Sequence, residues 1–452
     1  MSGETGERPL VAVVGAGLAG LAAAAALTRA GVAVHLIERS RLLGGKATSF
    51  EVGGIEVDNG QHVVLKCCTE FLDFATQLGM RSSLRFQPRF SAIVLTRDGP
   101  PARLRASPLP APLHLAMGFA SYRHLTAADK LRVLSALLAA RTPVSSRLDM
   151  ATWLLQHRQN ARTRRAFWDP FLIPALNAPL ERASAQDGLF VIRTAFMGRR
   201  DAACIGYSTV PLARMAEKAA ALCETVTMRS RVTSVVVRDG AVTGVRLDSG
   251  ATIPCDACVL AIPPRRVAAI FADSNLPGIE GLDAFETEPI VDVHLWYDRP
   301  LNMLDFAAIL DSPVQWAFRK GTGYVACSLS AAGTLVSRPQ SELVAMADAE
   351  LRAVIPALRG ARLVHSACTR DPEATFVPTP GLRRPNERTS LPTLMVAGAW
   401  TDTGWPATME SAVRSGRAAA RALTPALRAA RARALRGRAP TGVRGVEMLR
   451  AV

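Results

Sequence analysis

Residues 10–20 read LVAVVGAGLAG, a short apolar run followed by three glycines in the spacing GxGxxG. The run predicts a buried strand, and the alanine-rich stretch that follows, to about Arg29, predicts a helix. A second strand is predicted over residues 32–37, and Glu38 follows it directly. A strand, GxGxxG, a helix, a strand and an acid about twenty residues on form the dinucleotide-binding fingerprint in its required order. The sequence therefore predicts a dinucleotide site at this turn.

Each glycine of the turn has a separate physical role. Gly15 permits the tight turn, Gly17 lets the backbone approach a pyrophosphate, and Gly20 lets helix and strand pack closely. The start of the helix adds unpaired N–H groups and partial positive charge, which favour phosphate. We therefore predict cofactor contacts at Gly15, Ala16, Gly17, Leu18, Ala19 and Gly20.

Glu38 and the residues after it bear on which dinucleotide binds. Glu38 is placed to accept hydrogen bonds from the hydroxyls of an adenosine ribose, which argues against a 2′-phosphate there. Residues 39–48 read RSRLLGGKAT, and a glycine pair followed by a base is not part of a simple dehydrogenase fingerprint. The pair offers another close backbone approach and the base offers a cation for phosphates, although the pair alone would favour an ordinary turn. Contacts are predicted at Glu38, Arg39, Gly44, Gly45, Lys46 and Ala47.

The bulk composition indicates a globular protein. The 452 residues are 49% hydrophobic and 20% charged, which suits a chain of two or three structural units. The uncharged run over residues 10–27 is long enough to suggest a membrane helix, but its glycines and alanines make it weakly apolar. The fingerprint explains this run better. Eight cysteines in a chain of this length predict neither a disulfide framework nor a metal site, which fits a reducing cytoplasm.

The formal net charge of +16 would suit an anionic partner such as nucleic acid or an acidic membrane surface. From Arg421 onward eight Arg residues stand against one acid. No nucleic-acid-binding motif accompanies them, so we predict no nucleic-acid partner. The tail is interpreted as a solvated, frayed helix, and a surface helix attracted to anionic lipid is the alternative.

Later segments decide between FAD and NAD. Residues 231–247 predict a β-hairpin around an Asp-Gly turn, and residues 258–264 predict a strand that runs into a loop. Residues 394–400 predict another strand, and residues 401–416 predict a loop that opens a helix at Pro406. Together with the LGGK sequence before them, these segments resemble the flavin-containing amine oxidase and carotenoid desaturase superfamily.

The resemblance implies FAD as the cofactor. It places the start of the hairpin against the adenine, and it places the turn before the C-terminal helix at the N1/O2 edge of the flavin. Free amides in that turn would face an anion or a carbonyl. Contacts are accordingly predicted at Val232, Gly398, Ala407, Thr408 and Met409.

The resemblance also implies an α/β fold. A Rossmann-like FAD-binding domain would be built from discontinuous segments, with an α+β substrate domain inserted between them. The FAD-binding parts are predicted over residues 1–104, 206–284 and 376–424. The substrate domain is predicted over residues 105–205, largely helical, and 285–375, strand-rich, and an Arg-rich tail over residues 425–452.

One strand-like segment has an unusual polar centre, since residues 57–64 read VDNGQHVV. A strand over residues 55–64 would place Gly60 and His62 on one face and Gln61 on the other. Gly60 would then let a flat ring or a ribityl chain come close. As the related flavoenzymes imply, we interpret the segment as a cofactor wall with contacts at these three residues. A hydrogen-bonded bend is the alternative.

Three blocks narrow the resemblance to the hydroxysqualene dehydroxylases, also labelled squalene-associated FAD-dependent desaturases. They are DNGQH at residues 58–62, FWDPFLIPALNAPLERAS at residues 167–184 and AGAWTDTGWPATMESAVRSG at residues 397–416. The likeness extends from Val11 to about Leu423. It implies reductive removal of an allylic hydroxyl from a C30 isoprenoid alcohol, converting hydroxysqualene to squalene in hopanoid and squalene biosynthesis.

This chemistry needs a proton donor and a source of electrons. Hydroxide leaves poorly, so an acid must protonate the oxygen as the C–O bond breaks. The candidate acids are His62 and Asp402, because both belong to motifs expected near the flavin. A reduced electron donor such as NADPH or a reductase is implied. Candidate walls of the substrate site are Trp168, Trp400 and Trp405, and a role in the core is the alternative for each.

The sequence departs from the family pattern in two places. The family usually has Gly-Asp-Trp where this chain has Ala399 between Gly and Trp, and that acid would hydrogen-bond the ribityl or phosphate region of the cofactor. Affinity for FAD or activity is therefore in question unless Asp402 or water substitutes. After DNGQH the family tends to Gly-Cys-Tyr, whereas this chain has Lys66-Cys67-Cys68.

A long apolar substrate requires an apolar channel and access to the bilayer. Residues 108–122 form a weakly polar, Pro-rich entry into a helix, and a second helix is predicted over residues 127–141. Ordinary core is the favoured interpretation of its leucines, and a membrane-facing lip is the alternative. We predict a cytoplasmic protein, peripheral on the inner face of the bacterial cytoplasmic membrane. The leucines in question are Leu131, Leu134, Leu137 and Leu138.

Rival functions remain open. A carotenoid desaturase would use the same domain and a similar tunnel but would oxidise its substrate, and its glycine-rich PG run is not reproduced at residues 404–407. An amine oxidase would be expected to show a pair of tyrosines, and the chain has four Tyr, none in the C-terminal motif. A non-catalytic flavin-binding partner of membrane isoprenoid enzymes is kept open by the missing acid at Ala399.

Overall fold

A computed structural model describes residues 8–271, 279–301 and 305–437 of the chain, with side-chain positions up to residue 429. The predicted Arg-rich tail lies outside the described residues from residue 438 onward.

Twenty strands are described. In chain order they are β1 (Leu10–Val14), β2 (Ala33–Ile37), β3 (Ser49–Val52), β4 (Ile55–Asp58), β5 (Val64–Leu65), β6 (Leu84–Phe86), β7 (Ser91–Leu95), β8 (Ala102–Arg105), β9 (Ile205–Ser208) and β10 (Thr225–Thr227). They continue with β11 (Val232–Arg238), β12 (Ala241–Leu247), β13 (Thr252–Pro254), β14 (Ala257–Leu260), β15 (Thr287–Tyr297), β16 (Phe306–Ile309), β17 (Trp316–Arg319), β18 (Tyr324–Leu329), β19 (Leu363–Phe376) and β20 (Leu394–Val396).

Twelve α-helices are described, and six of them follow one another between β8 and β9. In chain order the twelve begin with α1 (Leu18–Arg29), α2 (Thr69–Gln77), α3 (Ala116–Ala120), α4 (Ala127–Ala139), α5 (Met150–Gln156) and α6 (Ala161–Thr163). The remaining helices are α7 (Asp169–Leu176), α8 (Ala185–Val191), α9 (Ala213–Ala220), α10 (Pro264–Ile270), α11 (Gln340–Val354) and α12 (Met409–Gly437). Two π-helical turns, Arg164–Trp168 and Ile192–Phe196, extend α6 and α8.

A parallel five-stranded sheet gathers strands from distant parts of the sequence. Its order is β10-β2-β1-β14-β20, and every neighbouring pair is parallel. The apolar side chains of β1 and β2 are buried on both faces of the sheet, which explains their near-continuous apolar sequence. The helices α1 and α12 pack so closely that a Cβ atom at Gly416 would overlap the carbonyl oxygen of Ala19. The sheet edge at the end of β1 is therefore shaped by segments from both ends of the described chain.

A second, seven-stranded sheet has the order β19-β15-β18-β17-β16-β7-β8. Neighbouring strands in it are antiparallel except for β16 and β7. One face, here called the α11 face, is aliphatic and packs on Leu343, Ala347 and Leu351 of α11. On β15 and β18 the α11 face consists of Val291, Val293, Leu295, Val325, Cys327 and Leu329.

The opposite side of the same strands is here called the polar face. Because side chains alternate along a strand and paired residues share a face, its polar and aromatic members are Asp292, His294, Trp296, Tyr324 and Ser328, with Ala326 between the last two. This face is turned toward the segment that follows β4, since the amide of Gln61 donates to Asp292. On the polar face Asp292 and His294 are therefore buried, while Trp296, Tyr324 and Ser328 are half-buried.

Several local predictions can be compared directly with these elements. The predicted hairpin is confirmed, because β11 and β12 are joined at Asp239 and Gly240, which have φ values of 50° and 73°. The continuous strand predicted over residues 55–64 is wrong, since β4 ends at Asp58 and the chain bends at the next two residues. The helix predicted to open at Pro406 begins instead at Met409.

The apolar run that could have spanned a membrane is divided between β1 and α1. Among the described residues, none of the helices has both the length and the hydropathy needed to cross a bilayer. The core interpretation of the α4 leucines is wrong for three of them. Leu131, Leu134 and Leu138 are 68%, 46% and 67% exposed.

Candidate active site

The glycines of the first turn are required for different reasons. Gly15 has a φ of 101°, and a Cβ atom there would lie 2.5 Å from the carbonyl oxygen of Ala261. A Cβ atom at Gly20 would overlap the carbonyl oxygen of Gly15. Gly17 differs from both, because its φ is −74° and no atom lies within 4 Å of a Cβ built there. The chain itself does not require glycine at this position, whereas a group bound against the turn would.

Gly17 also caps α1 without offering a side chain. The first amides of α1 therefore receive no side-chain hydrogen bond, and no acidic residue lies in the first turn. Such a helix start is suited to an anion, because its N–H groups are free and the helix dipole adds positive potential. The turn fits the pyrophosphate predicted for it.

Glu38 is buried and connects this turn to the end of β2. Its carboxylate accepts the amide of Ala16 at 2.7 Å and the amide of Ser40 at 2.8 Å. An ionised carboxylate offers about four lone-pair sites, so two remain for other donors. Contact between Glu38 and a ribose stays a prediction, and the same carboxylate also fixes the shape of the glycine turn.

The second glycine pair lies directly against the first turn. The amide of Gly44 donates to the carbonyl of Ala16 at 2.9 Å, and a Cβ atom at Gly45 would lie 3.0 Å from the Cα of Gly17. Both glycines have positive φ, 98° and 58°. The pair is therefore part of the same loop cluster.

The basic residues beside the Gly44–Gly45 pair are Arg39 and Lys46, and both were predicted to contact the cofactor. The ammonium of Lys46 lies 3.2 Å from Asp371 on β19. Arg39 is exposed, and Ala47 is buried. Lys46 thus has an anionic partner within the chain, and its contact with a phosphate stays a prediction.

The start of β11 lies beside the end of β2, and contact of Val232 with an adenine stays a prediction. Val232 is buried in one apolar cluster with Val14 and Ile37. The amide of Ser230 donates to the carbonyl of Glu38 at 3.0 Å. The structure thus brings Val232 to the same edge of the parallel sheet as the glycine turn.

The C-terminal turn is held by a residue that sequence reasoning missed. The guanidinium of Arg384 donates to the carbonyl oxygens of Ala399 at 2.7 Å and Trp405 at 2.6 Å, and also to that of Thr401. Burial lowers the pKa of Arg384. A buried guanidinium that satisfies several carbonyls of one loop fixes the loop's shape. No sequence pattern marks Arg384, because its partners are backbone oxygens more than ten residues away.

The same turn leads into α12. Gly398 donates its amide to Ser415, and Trp400 donates to the carbonyl of Ile262 beside β14. In the described part of the chain, no acceptor meets the amides of the three residues at the helix start, and the hydroxyl of Thr408 accepts the amide of Ser411. These amides suit an anionic or carbonyl group, as predicted. They belong to Ala407, Thr408 and Met409.

The bend after β4 is organised by hydrogen bonds. Asp58 accepts the hydroxyl of Ser49 at 2.7 Å and the amide of Leu212 at 2.9 Å. Gly60 lies against Asp292, whose Oδ2 would be 3.0 Å from a Cβ atom at this position. His62 is half-buried, its Nε2 is buried with no partner among the described residues, and burial lowers its pKa.

The polar face of the seven-stranded sheet completes this cluster. Oδ1 of Asp292 accepts the amide of Gln61 at 3.1 Å, and burial raises the pKa of Asp292 to about 7. Nδ1 of His294 lies 2.7 Å from the hydroxyl of Tyr324, and burial lowers the pKa of His294 to about 4. The ammonium of Lys320 lies 3.8 Å from Asp58, and burial lowers its pKa.

Sequence reasoning missed this cluster because its members are spread over different segments. The one signal was the alternation in TEPIVDVHLWY of β15, which places Asp and His on the side of the strand away from the valines. Buried titratable groups with shifted pKa values are typical of functional sites.

The two predicted acids occupy different surroundings. His62 lies with the polar face, whereas Asp402 is exposed and accepts the amide of Gly404 at 3.3 Å.

The three tryptophans predicted to line the substrate site also differ in their surroundings. Trp168 and Trp400 are buried with their N–H groups paired, and Trp405 packs edge to face on Phe190 at 5.1 Å.

Residues 18–424 match the family described as flavin containing amine oxidoreductase. The chain belongs to this family, which implies a flavin cofactor and an oxidoreductase activity. In fold it is similar to a double mutant of putrescine oxidase, with a TM-score of 0.71 and 17% identity over 92% of this chain and 99% of that one. The predicted α/β fold class is confirmed, and the residue boundaries of the domains stay a prediction.

Among individual relatives, the chain is 29% identical to a hydroxysqualene dehydroxylase from Rhodopseudomonas palustris, over 91% of this chain and 97% of that protein. It is 23% identical to a 15-cis-phytoene desaturase from Synechococcus elongatus, over 91% of this chain and 95% of that protein. The resemblance to hydroxysqualene dehydroxylases is therefore confirmed over nearly the whole chain.

Proposed function

We propose that this chain is an FAD-dependent oxidoreductase that removes the allylic hydroxyl of hydroxysqualene and so forms squalene. The observation that carries the proposal is the 29% identity to a hydroxysqualene dehydroxylase over almost the full length of both proteins. The buried polar face supports it, because cleavage of a C–O bond needs a proton and exclusion of water.

FAD is the flavin that these loops suit. The open side of Gly17 and the free start of α1 would take its pyrophosphate, and the buried carboxylate of Glu38 would take its adenosine ribose. The amides at the start of α12 would face the flavin edge, and Arg384 holds that loop in place. When bound in its reduced form, FAD supplies a hydride to the substrate carbon.

The chain's own residues position the alcohol, exclude water and supply the proton. Electrons would come from a two-electron donor such as NADPH or a reductase, since each turnover consumes one reduced cofactor. The absence of an acid at position 399 is compatible with this role, because the carbonyl of Ala399 is bound by Arg384 and the loop keeps its shape.

A direct assay tests the proposal. The purified protein is loaded with FAD, reduced anaerobically with dithionite or NADPH, and incubated with hydroxysqualene. We expect squalene in proportion to the flavin reduced, and none when the reductant is omitted. Formation of desaturated phytoene in a parallel incubation with an oxidised quinone would instead establish the carotenoid desaturase alternative, which the likeness to phytoene desaturase keeps open. Bound flavin with neither product would indicate a non-catalytic partner.

We also propose that the protein takes its substrate from an anionic bilayer. Leu131, Leu134 and Leu138 form one exposed stripe on α4, and Leu113 and Met117, 57% and 67% exposed, lie on the adjoining segment. Lys130 of α4 donates to the carbonyl of Ala120, which joins the two segments. Pro108, in the segment that leads to Leu113, helps to line a surface cavity of about 550 Å³ together with Lys66, Arg89, Arg199, Arg200 and Asp201. An apolar stripe beside basic side chains suits a surface that enters anionic lipid.

Vesicle binding tests this second proposal. The wild type should sediment with phosphatidylglycerol vesicles more than with phosphatidylcholine vesicles, and the triple variant L131S/L134S/L138S should sediment far less. Leu222, 42% exposed on another part of the surface, provides the control variant L222S. Equal binding by the triple variant and the control would refute this surface.

A further inference from the structure

The proposed dehydroxylation needs a proton donor, and neither residue predicted from the sequence is well suited to this role. Burial lowers the pKa of His62, which disfavours the protonated imidazole that an acid would need. Asp402 is exposed in the turn before α12, where its carboxylate accepts a backbone amide. A buried carboxyl in the same site would be better suited to give a proton.

Asp292 has the position that these two residues lack. It lies in the middle of β15 on the polar face and is 1% exposed. Its carboxylate lies against two of the three residues of this segment that were predicted to line the flavin, because Oδ1 accepts the amide of Gln61 and Oδ2 is close to Gly60. A residue with a side chain at position 60 would press on this carboxylate. The glycine therefore leaves room for Asp292 as well as for any ring that binds there.

The environment of Asp292 decides whether it can hold a proton. Burial raises the pKa of Asp292 to about 7, while hydrogen bonds from Gln61 and Ser328 and the charge of Lys320 act in the opposite direction. Burial lowers the pKa of its neighbour His294 to about 4, so that imidazole is neutral over the same range. The titratable groups around Asp292 come from every element packed on it: Asp58 at the end of β4 and His62 beyond it, Lys320 and Tyr324 before and on β18, His294 on β15, and Asp371 on β19. Cys327 and Cys368 are also near Asp292, but they lie on the α11 face.

We propose that Asp292 is the catalytic acid, which gives its carboxyl proton to the hydroxyl of the allylic alcohol. This role rests on the proposed function. The O–H bond of the carboxyl breaks and the proton joins the departing oxygen, so the C–O bond breaks with loss of water. Bound reduced FAD would supply the hydride that forms the new C–H bond at this carbon, and a two-electron donor would reduce the flavin again. Asp292 regains its proton from solvent before the next turnover.

Substitution of Asp292 tests the role in the FAD-loaded protein. The variant D292N keeps the size of the side chain and removes the acidic proton. We expect it to bind FAD as the wild type does, by its absorbance spectrum, and to form squalene roughly 10²–10⁴-fold more slowly. The variant D292E should recover part of the rate. The rate of the wild type should fall as pH rises through about 7, because the carboxyl must be protonated, and D292N should lose this dependence.

Two readouts do not depend on turnover. Infrared difference spectra of the wild type across this pH range should show the carbonyl stretch of a protonated carboxylic acid, and D292N should lack it. Raising the pH from 5 to 8 should lower the Tm of the wild type relative to that of D292N. On unfolding, only the wild type releases the proton of the Asp292 carboxyl, and higher pH favours this release. The control is D298N, the same chemical change at an exposed carboxylate just beyond β15, and it should match the wild type in rate.

The outcomes separate the two proposals. A wild type that forms no squalene refutes the proposed function and this role with it. A wild type that forms squalene at a rate matched by D292N refutes the role of Asp292 alone. Loss of FAD from D292N, or an infrared band that persists in it, would also refute the role, because the residue would then be structural or unprotonated.

Discussion

The two faces of the seven-stranded sheet are made from alternate residues of the same strands, yet their chemistry differs completely. On the α11 face Val291, Val293 and Leu295 pack on aliphatic side chains of α11. On the polar face Asp292 and His294 are as deeply buried, 1% and 2% exposed, with polar neighbours. The first face contributes to stability through close packing, and the second keeps polar groups out of water at a cost in stability. A buried surface that costs stability is expected where a protein performs chemistry.

The largest expected loss of stability comes from placing a carboxyl group on the α11 face, like the one that Asp292 places on the polar face. Val293 is fully buried among apolar side chains, so V293D would bury a carboxyl without a partner. We expect a loss of about 4–5 kcal/mol or more in the free energy of unfolding, or an insoluble protein. Urea unfolding measures it. A soluble V293D with wild-type stability would show that the two faces do not differ as described.

The next largest loss of stability is expected from a cavity on the α11 face. Leu351 of α11 is fully buried against the sheet, and L351A should lower the free energy of unfolding by about 2–5 kcal/mol. Flavin spectra and the rate of the FAD-loaded enzyme should stay close to those of the wild type at a temperature well below Tm. A large loss of activity without a loss of stability would mean that α11 belongs to the site.

The pH dependence of the free energy of unfolding tests the polar face, as V293D and L351A test the α11 face. The pKa of Asp292 in the folded protein is raised to about 7, so the folded chain holds a proton that the unfolded chain releases near pH 4. Its contribution to stability is therefore complete below about pH 4 and is lost as pH rises to about 7. By linkage the loss amounts to at most about 4 kcal/mol.

His294 has the opposite sign over part of this range. Its pKa is lowered to about 4, so protonation of the unfolded chain makes stability rise between about pH 4 and the ordinary histidine value. In the wild type the contributions of Asp292 and His294 to the pH dependence of stability therefore partly cancel. The difference in unfolding free energy between wild type and D292N, measured by urea titration at several pH values, isolates the Asp292 contribution. A difference that does not change with pH would contradict the raised pKa.

The smallest expected effects come from a matched pair of tyrosines, one on each face. On the α11 side the hydroxyl of Tyr297 donates to Asp348 at 2.7 Å, and on the polar side Tyr324 pairs with His294 at 2.7 Å. Y297F should cost about 1.5–3 kcal/mol, because it removes a hydrogen bond to a carboxylate, and Y324F about 1 kcal/mol. Y324F should nevertheless reduce the rate of squalene formation more than Y297F does. The reverse order of activities would remove the functional distinction between the faces.

The glycine turn shows how much of the site local sequence can predict. The roles of Gly15 and Gly20 follow from the backbone geometry of a strand–turn–helix unit, and the structure places both as that geometry requires. The second glycine pair and Val232 were predicted from resemblance, and tertiary pairing does bring them to the same edge of the sheet. Their contacts with the cofactor stay predictions.

The bend after β4 shows where local sequence falls short. The run VDNGQHVV alternates like a strand, but Asp58 hydrogen-bonds to Ser49 and Leu212, and these contacts end the strand. A pattern of residues cannot reveal such partners, because they lie far away in the chain. Arg384 was missed for the same reason, since its partners are carbonyl oxygens that every residue possesses.

The amino-acid sequence alone determined the dinucleotide turn, the α/β class and the family resemblance, because these depend on short-range geometry: glycine spacing, apolar periodicity and helix starts. It also determined that β15 has one aliphatic and one polar side. Only the tertiary structure decided that the polar side is buried against Gln61 rather than exposed to water. Alternation fixes which side chains share a face, whereas the medium that each face meets, and therefore the pKa of Asp292, depends on segments brought there by the rest of the fold.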